Sequence, residues 1–149
     1  MYRRILVPLE HTATDEYILE HVRNLARYCK ASIVLIHVAD GWAARNIRHL
    51  GMRESEEIKV DRSYIERVAT ELSQEGLTTE AVMASGDPAK EIADAAVSEK
   101  CDLIAMATHG HKLIGDVVYG SVANEVRHRS MVPVLLVRAP SAGRKTPIT

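Results

Sequence analysis

Residues 31–39, ASIVLIHVA, are apolar at nearly every position instead of at every second one. A strand with one face in water alternates apolar and polar residues, whereas a near-continuous apolar run is typical of a strand buried on both faces. Runs of the same kind occur at 3–9, 78–85, 101–108 and 132–138. The sequence therefore predicts five strands of a parallel sheet that is covered by helices on both sides.

Helical patterns fill the intervals between these runs. Apolar residues recur every three or four positions in 15–30 and in 56–75, which predicts one buried face for each helix. Asp87 as N-cap and Pro88 as first helical residue predict a third helix, and a fourth is expected to begin near Ser121. Because strands alternate with helices, the predicted fold class is α/β with a doubly wound parallel sheet.

One domain is predicted for residues 1–140, because 149 residues are one domain's length and no interdomain linker is apparent. Residues 141–149 are expected to form a disordered tail. The connection at 40–56 is long and locally basic, so we expect it to be a flexible arm, a lid or an interface.

Composition argues against several classes of function. A net charge of -1 provides no overall attraction to nucleic acid or to an anionic membrane. We find neither the apolar stretch of a signal peptide nor an apolar run of membrane-spanning length. The two cysteines, Cys29 and Cys101, suit neither a zinc site nor a disulfide framework, and both are expected to be buried thiols. We therefore expect a cytoplasmic protein.

Two segments that leave strands carry residues suited to a ligand. Ligands of open α/β sheets lie beyond the carboxyl ends of the strands, where the strand order reverses. The segment 8–12 follows the first strand, and 107–121 follows the fourth. Gly110 would let the backbone approach an anion, and Gly120-Ser121 would open a helix whose free N–H groups favour phosphate. The alternative is that Gly120 only turns the chain and Ser121 only caps the helix.

Short motifs are spread over nearly the whole chain: ILVPLE at 5–10, HV at 37–38, GDPAKEI at 86–92, DLIAMATHG at 102–110, GS at 120–121 and PVLLV at 133–137. In this order they resemble the universal stress protein family. The resemblance implies a Rossmann-like five-stranded parallel sheet of strand order 3-2-1-4-5 with helices on both faces. It also implies a homodimer that is joined through the edge strand 133–137.

Part of that family binds ATP or another adenine nucleotide through the motif G-x2-G-x9-G-[ST], and another part lacks these glycines and does not bind it. At the matching positions this chain has Ala107, Gly110, Gly120 and Ser121, so the first glycine is replaced. Glu10 replaces the family's Asp, and Leu113 stands where many members have a glycine. Because Gly110, Gly120 and Ser121 keep the positions that face the phosphates, the resemblance still implies a bound adenine nucleotide (ATP, ADP or AMP) that acts as a regulatory ligand.

The resemblance also implies which residues form the site. Pro8, Leu9 and Val38 would line the adenine pocket, and Met106, Ala107 and Thr108 would pass beside the adenine and ribose. Glu10 would meet the ribose or a nucleotide-bound Mg²⁺. The phosphates would be held by Gly110, His111, Gly120, Ser121 and Val122, with His109 in the same loop. The alternative for Leu9, Val38 and Met106 is core packing, and for Glu10 it is a favourable position near a helix dipole.

His109 and His111 form an HxH pair of the kind that metal sites use. Such a site needs a third ligand, for which Glu10, His11 or His37 are the candidates. We favour a loop pair that is exposed to solvent or contacts phosphate. His37 is expected to be a hydrogen-bonded histidine at a strand end.

The stretch THGH at 108–111 resembles the TxGH motif of nucleotidyltransferases, but it follows the fourth strand instead of the first. Ser121 lies in no GxSxG elbow, so a triad hydrolase is not favoured either. We expect no efficient turnover, because no base with an orienting partner is identifiable. The alternative to a nucleotide-binding, dimeric stress-response protein is a nucleotide-free interaction protein that acts through its dimer surface and residues 40–56.

Overall fold

Five strands and four helices alternate along the residues that the computed structural model describes, which are 1–40, 52–109 and 116–140. The strands are β1 (Arg4–Pro8), β2 (Ser32–Asp40), β3 (Thr79–Gly86), β4 (Leu103–His109) and β5 (Val134–Ala139). The helices are α1 (Asp15–Cys29), α2 (Met52–Gln74), α3 (Pro88–Ser98) and α4 (Asp116–Arg129). The predicted alternation of strands and helices is confirmed.

The sheet is parallel throughout, and its strand order is β3-β2-β1-β4-β5. Its central strand is β1, where Ile5 is paired with Ile33 of β2 on one side and with Leu103 of β4 on the other. The doubly wound fold with order 3-2-1-4-5 is thus confirmed. Because β1 lies between the two halves of the sheet, the strand order reverses at its carboxyl end, where such folds bind ligands.

The two faces of the sheet bury separate sets of apolar side chains, because successive residues of a strand point to opposite faces. Val7 of β1 is fully buried in a cluster with Ile65 of α2 and with residues of α1. Its neighbour Leu6 is fully buried in a second cluster that contains Ile92 of α3 and residues of α4. Burial on both faces explains why the strand sequences are apolar without alternation.

Local signals begin one helix and end two others, and the start at Asp87 and Pro88 is the one predicted above. The Asp87 carboxylate accepts a hydrogen bond from the Lys90 N–H across 3.1 Å, and Pro88 is the first residue of α3. After α1 the chain turns at Lys30, whose φ is 55°, and after α2 it turns at Gly76, whose φ is 88°. None of the described helices is long and apolar enough to cross a membrane.

The helix α2 begins at Met52 instead of near residue 56. Arg53 and Glu54 are good helix formers, which accounts for the earlier start. The connection predicted at 40–56 is therefore shorter, and its remaining part, 41–51, lies outside the described residues, as does the predicted tail 141–149.

The two cysteines are free thiols in different surroundings. Cys101 is 5% exposed, as predicted. Cys29 is only half-buried, so the expectation that it is a buried thiol is wrong. It is the last residue of α1, next to the turn at Lys30, and it packs partly buried against the cluster that contains Val7. Burial raises the pKa of the Cys101 thiol to about 11, so that this thiol stays protonated near neutral pH.

Candidate functional site

A cavity of about 370 Å³ opens at the carboxyl end of β1, where β2 and β4 flank it on either side. This is the point at which the strand order reverses. The walls come from the segment after β1, from the ends of β2 and β4, and from α1, α3 and α4. Most of the lining is apolar, with the side chains of Leu9, Ile36, Val38, Ile92, Met106 and Val122.

The cavity brings together many of the predicted site residues, namely Pro8, Leu9, Glu10, Val38, Met106, Ala107 and Val122. Residues 8–10 at the end of β1 and Ala107 near the end of β4 therefore line one crevice. The prediction that the rest of 107–121 faces it stays a prediction, because 110–115 lie outside the described residues. Thr108 does not line the cavity described here, and it is paired in register with Arg138 of β5.

The remaining predicted members of the site belong to β4, to α4 or to the segment between them. His109 ends β4, and Gly120 and Ser121 lie within α4. Gly110 and His111 lie outside the described residues, so the predictions for them stay predictions.

The prediction that Gly120-Ser121 opens a helix is wrong. The helix α4 begins at Asp116, so both residues lie one turn inside it. An acidic residue at a helix N-terminus is favoured by the dipole, and glycine inside a helix costs only about 1 kcal/mol relative to alanine. Because only the first turn of a helix has free N–H groups, those of α4 precede Gly120.

Several lining residues were not predicted: Thr14, Asp15, Ile36, His37, Pro88 and Ile92. Pro88 and Ile92 could have been predicted to lie near the cavity, because α3 directly follows β3 and all strands of a parallel sheet end at the same edge. Asp15 carried none, since an acidic residue in the first turn of a helix is ordinarily explained by the dipole alone.

Asp15 organises the loop between β1 and α1. Its side chain is 3% exposed, and its carboxylate accepts hydrogen bonds from the backbone N–H groups of Glu10 (3.0 Å) and His11 (2.9 Å). The hydroxyl of Tyr64 in α2 donates a third hydrogen bond, across 2.7 Å. A buried carboxylate is stable only when such donors surround it. The cavity wall at Glu10 is therefore held by one buried charge.

His11 adopts a left-handed backbone conformation, with a φ of 62° that is uncommon for a residue with a side chain. Its ring is stacked on that of Tyr64, with 4.0 Å between the ring centroids, and the guanidinium of Arg67 lies 5.6 Å from the centroid of the Tyr64 ring on α2. Burial, and next the hydrogen bond to Asp15, raise the pKa of Tyr64, so its hydroxyl stays protonated as a donor. These contacts compensate for the unfavourable backbone conformation of His11.

His37 is a hydrogen-bonded histidine near the end of β2, as predicted. Its Nδ1 lies 2.8 Å from the carbonyl oxygen of Leu9, and its Nε2 lies 3.2 Å from Oδ2 of Asp61 in α2. The other carboxylate oxygen of Asp61 lies 2.8 Å from Nδ1 of His11. One carboxylate of α2 thus contacts two histidines from two different segments.

A metal site built on these histidines finds no support in the described residues, where no three His, Cys, Asp or Glu side chains are grouped around a possible ion. Of the proposed third ligands, His11 and His37 are both directed to Asp61. The HxH hypothesis for His109 and His111 rests in part on residues outside the described ranges.

The apolar lining also belongs to the hydrophobic core. Leu9 is 2% exposed and Met106 is 6% exposed, and each is a member of one of the two core clusters. Core packing is therefore confirmed for these two residues, and Val38 packs partly buried against the second cluster. A cavity with an apolar floor and a carboxylate at Glu10 can take a flat apolar ring system that carries polar groups at one end.

The chain matches the sequence profile of the universal stress protein family over residues 1–138. A universal stress protein of Methanothermobacter thermautotrophicus is 32% identical over 93% of this chain and 97% of its own length. Universal stress protein MJ0577 of Methanocaldococcus jannaschii is 29% identical over 93% of this chain and 96% of its own length.

Solved structures agree with the sequence matches. The structure of MJ0577 superposes with a TM-score of 0.83 at 27% identity, and covers 95% of this chain and 99% of its own. The universal stress protein of Archaeoglobus fulgidus, solved in complex with dAMP, superposes with a TM-score of 0.67 at 19% identity and covers 91% of this chain and 97% of its own. With the strand order, the motifs and the profile in agreement, this chain belongs to the universal stress protein family.

Proposed function

We propose that this protein binds an adenine nucleotide as a regulatory ligand in the cavity at the carboxyl end of β1. The observation that carries the proposal is that Glu10, Val38 and Ala107, from three separate segments, line one cavity at the reversal of the strand order. Ligand sites of open α/β sheets lie at this point. The volume of about 370 Å³ is also within the usual range for small-molecule sites.

The base would occupy the apolar part of the cavity. Leu9 after β1, Val38 of β2 and Met106 of β4 line this part, and burial of a purine there would be favoured by the hydrophobic effect. The ribose would lie near Glu10, whose backbone N–H is fixed by Asp15. A Mg²⁺ bound to the nucleotide would be a further partner for the Glu10 carboxylate.

The phosphates would extend from the end of β4 toward the first turn of α4. That turn begins at Asp116, so its free N–H groups, and not that of Ser121, would face an anion. Gly110 and His111, for which the family motif implies phosphate contacts, would complete this end of the site. The Archaeoglobus fulgidus protein was solved in complex with dAMP, an adenine nucleotide, which supports this ligand class.

Calorimetric titration with ATP, ADP and AMP, with and without Mg²⁺, tests the proposal. We expect saturable binding of at least one adenine nucleotide, and GTP serves as the control for base recognition. A ligand at 100 times its dissociation constant should stabilise the fold by about 2.7 kcal/mol, which thermal unfolding can measure. Absence of both heat and stabilisation with all three nucleotides would favour the nucleotide-free interaction protein.

We further propose that two copies associate through β5. This strand is at one edge of the sheet, and Leu136 at its middle is 42% exposed. An edge strand with exposed apolar side chains is a template for pairing with a second strand. Light scattering of the wild type at neutral pH should give twice the monomer mass, and the Leu136→Lys variant should have the mass of a monomer. A wild-type monomer at all concentrations would contradict this arrangement.

A further inference from the structure

Tyr64 of α2 contacts the loop after β1 from behind the cavity. Its hydroxyl donates a hydrogen bond to Oδ2 of Asp15 across 2.7 Å, and its ring is stacked on that of His11 with 12° between the ring planes. Tyr64 is not among the described residues that line the cavity, whereas Glu10, the neighbour of His11 in the loop, is one of them. The loop is therefore the route by which Tyr64 can act on a ligand.

The two oxygens of the Asp15 carboxylate divide the contacts of this loop between them. Oδ1 accepts the N–H of Glu10 at 3.0 Å, and Oδ2 accepts both the N–H of His11 at 2.9 Å and the hydroxyl of Tyr64. The carboxylate belongs to a residue that is 3% exposed, and a charge so buried that loses a donor must turn to another donor or admit water. Either change would shift the N–H of Glu10.

The backbone of His11 depends on the same helix. Its φ of 62° is left-handed, and a residue with a side chain keeps such a conformation only where its surroundings hold it. The ring stack on Tyr64 and the hydrogen bond between Nδ1 of His11 and Asp61 both come from α2. Relaxation of φ at His11 would rotate the peptide that joins it to Glu10, so the position of Glu10 depends on α2 as well.

We propose that Tyr64 is a positioning residue for nucleotide binding, whose hydroxyl holds the Asp15 carboxylate so that the backbone of Glu10 stays fixed at the cavity wall. The inference rests on the proposed function and adds to it a residue outside the cavity. A fixed backbone matters for a contact between Glu10 and the ribose, because hydrogen bonds tolerate a change in length of only about a few tenths of an ångström.

Tyr64→Phe isolates the hydroxyl, because it keeps the ring that is stacked on His11. The helix stays anchored by Ile65 and Val68, which are 0% and 5% exposed in the first core cluster, so the variant should fold. Tyr28→Phe is the matched control, since it removes a hydroxyl from a tyrosine of α1 that is 89% exposed. Thermal unfolding checks that both variants are folded at the temperature of the measurements.

Amide hydrogen exchange of the protein without ligand, followed by NMR, tests the positioning directly. We expect the amides of Glu10 and His11 to exchange at least about tenfold faster in Tyr64→Phe than in the wild type. The amide of Leu9, which donates to the carbonyl oxygen of Ile36, should be unchanged. Equal exchange in the two proteins, or unprotected amides of Glu10 and His11 in the wild type, would overturn the proposal.

Calorimetric titration with AMP tests whether this position matters to the ligand. We expect Tyr64→Phe to weaken binding about tenfold, a size common for coupled sites, and Tyr28→Phe to leave it unchanged. In the Glu10→Gln background the effect of Tyr64→Phe should be less than about twofold, because a residue that acts through Glu10 then has no further contact to lose. Additive effects, or an unchanged affinity in Tyr64→Phe, would overturn the proposal. If AMP does not bind the wild type at all, the proposed function fails, while the exchange rates still decide whether Tyr64 fixes Glu10.

Discussion

The carboxylate of Asp15 accepts a hydrogen bond from the hydroxyl of Tyr64 across 2.7 Å, which joins the first turn of α1 to α2. The same carboxylate holds the N–H groups of Glu10 and His11 at the cavity. The loop after β1 and two helices on one face of the sheet are therefore fixed through a single buried charge. Substitution of Asp15 alone therefore tests how much this charge contributes to the structure.

Asp15→Asn should lower the free energy of unfolding by about 2 kcal/mol, because hydrogen bonds to a buried charge contribute more than neutral ones and the amide NH₂ would face N–H donors. Urea denaturation followed by circular dichroism measures the change. Glu16→Gln, at the next position of the same helical turn but exposed, is the matched control and should change stability by less than about 0.5 kcal/mol. Equal effects of the two substitutions would contradict a special role for Asp15.

Ala107→Leu should weaken adenine nucleotide binding at least tenfold, because a larger side chain at this half-buried position would occupy part of the cavity. Thr108→Val is the control, since it changes the next residue of β4 to one of similar shape and Thr108 does not line the cavity described here. Calorimetry with AMP measures both, and thermal unfolding checks that each variant is folded. If Thr108→Val weakened AMP binding more than Ala107→Leu, the ligand would lie on the other face of β4.

The parts of the fold that depend on local sequence were predictable. The strand runs are apolar on both faces because each strand packs against helices above and below, and this burial is visible in 31–39 alone. Asp87 and Pro88 act within one helical turn, so their effect on α3 was also readable. The meeting of residues 8–10 and Ala107 at one cavity follows from parallel strands ending at one edge, once the order of the strands is given by the family resemblance.

The polar contacts behind the cavity were not predictable. Asp61 and Tyr64 belong to a helix whose apolar stripe predicted only core packing, and their partners His37 and Asp15 are distant in the chain. Such contacts depend on how α2 lies on the sheet, which no local pattern encodes. The predicted start of α4 was wrong although a local signal was present. Gly120-Ser121 is a typical start of a helix, but α4 already begins at Asp116.

Gly86→Ala should destabilise the protein more than Gly76→Ala, although both glycines have positive φ. The φ of Gly86 is 138°, and an added Cβ would lie 3.0 Å from Oε1 of Glu91 in α3. At Gly76, with φ of 88°, an added Cβ meets nothing within 4 Å, so only the backbone conformation is penalised. We expect losses of about 2 and about 1 kcal/mol. Urea denaturation compares them, and equal losses would mean that Glu91 moves aside freely.

The thiol of Cys101 should be unreactive in the folded protein. With a pKa raised to about 11 by burial, only about one molecule in ten thousand has the thiolate at pH 7. In Cys29→Ser, where Cys101 is the remaining cysteine, a chromogenic disulfide reagent should react less than about 1% as fast as in the protein unfolded by urea. Comparable rates in both states would show that the thiol is not shielded.

The same raised pKa predicts a loss of stability in alkali. A thiol with a pKa of about 11 when folded and about 8.5 when unfolded loses its proton first in the unfolded chain as the pH rises. Between roughly pH 9 and 11 the unfolded state therefore binds fewer protons, and stability falls by up to about 1.4 kcal/mol per pH unit. Cys101→Ala removes this contribution, while the raised pKa of Tyr64 acts in the same direction in both proteins and cancels. Denaturation curves over this range should diverge in slope, and parallel slopes would show that Cys101 titrates alike in the folded and unfolded protein.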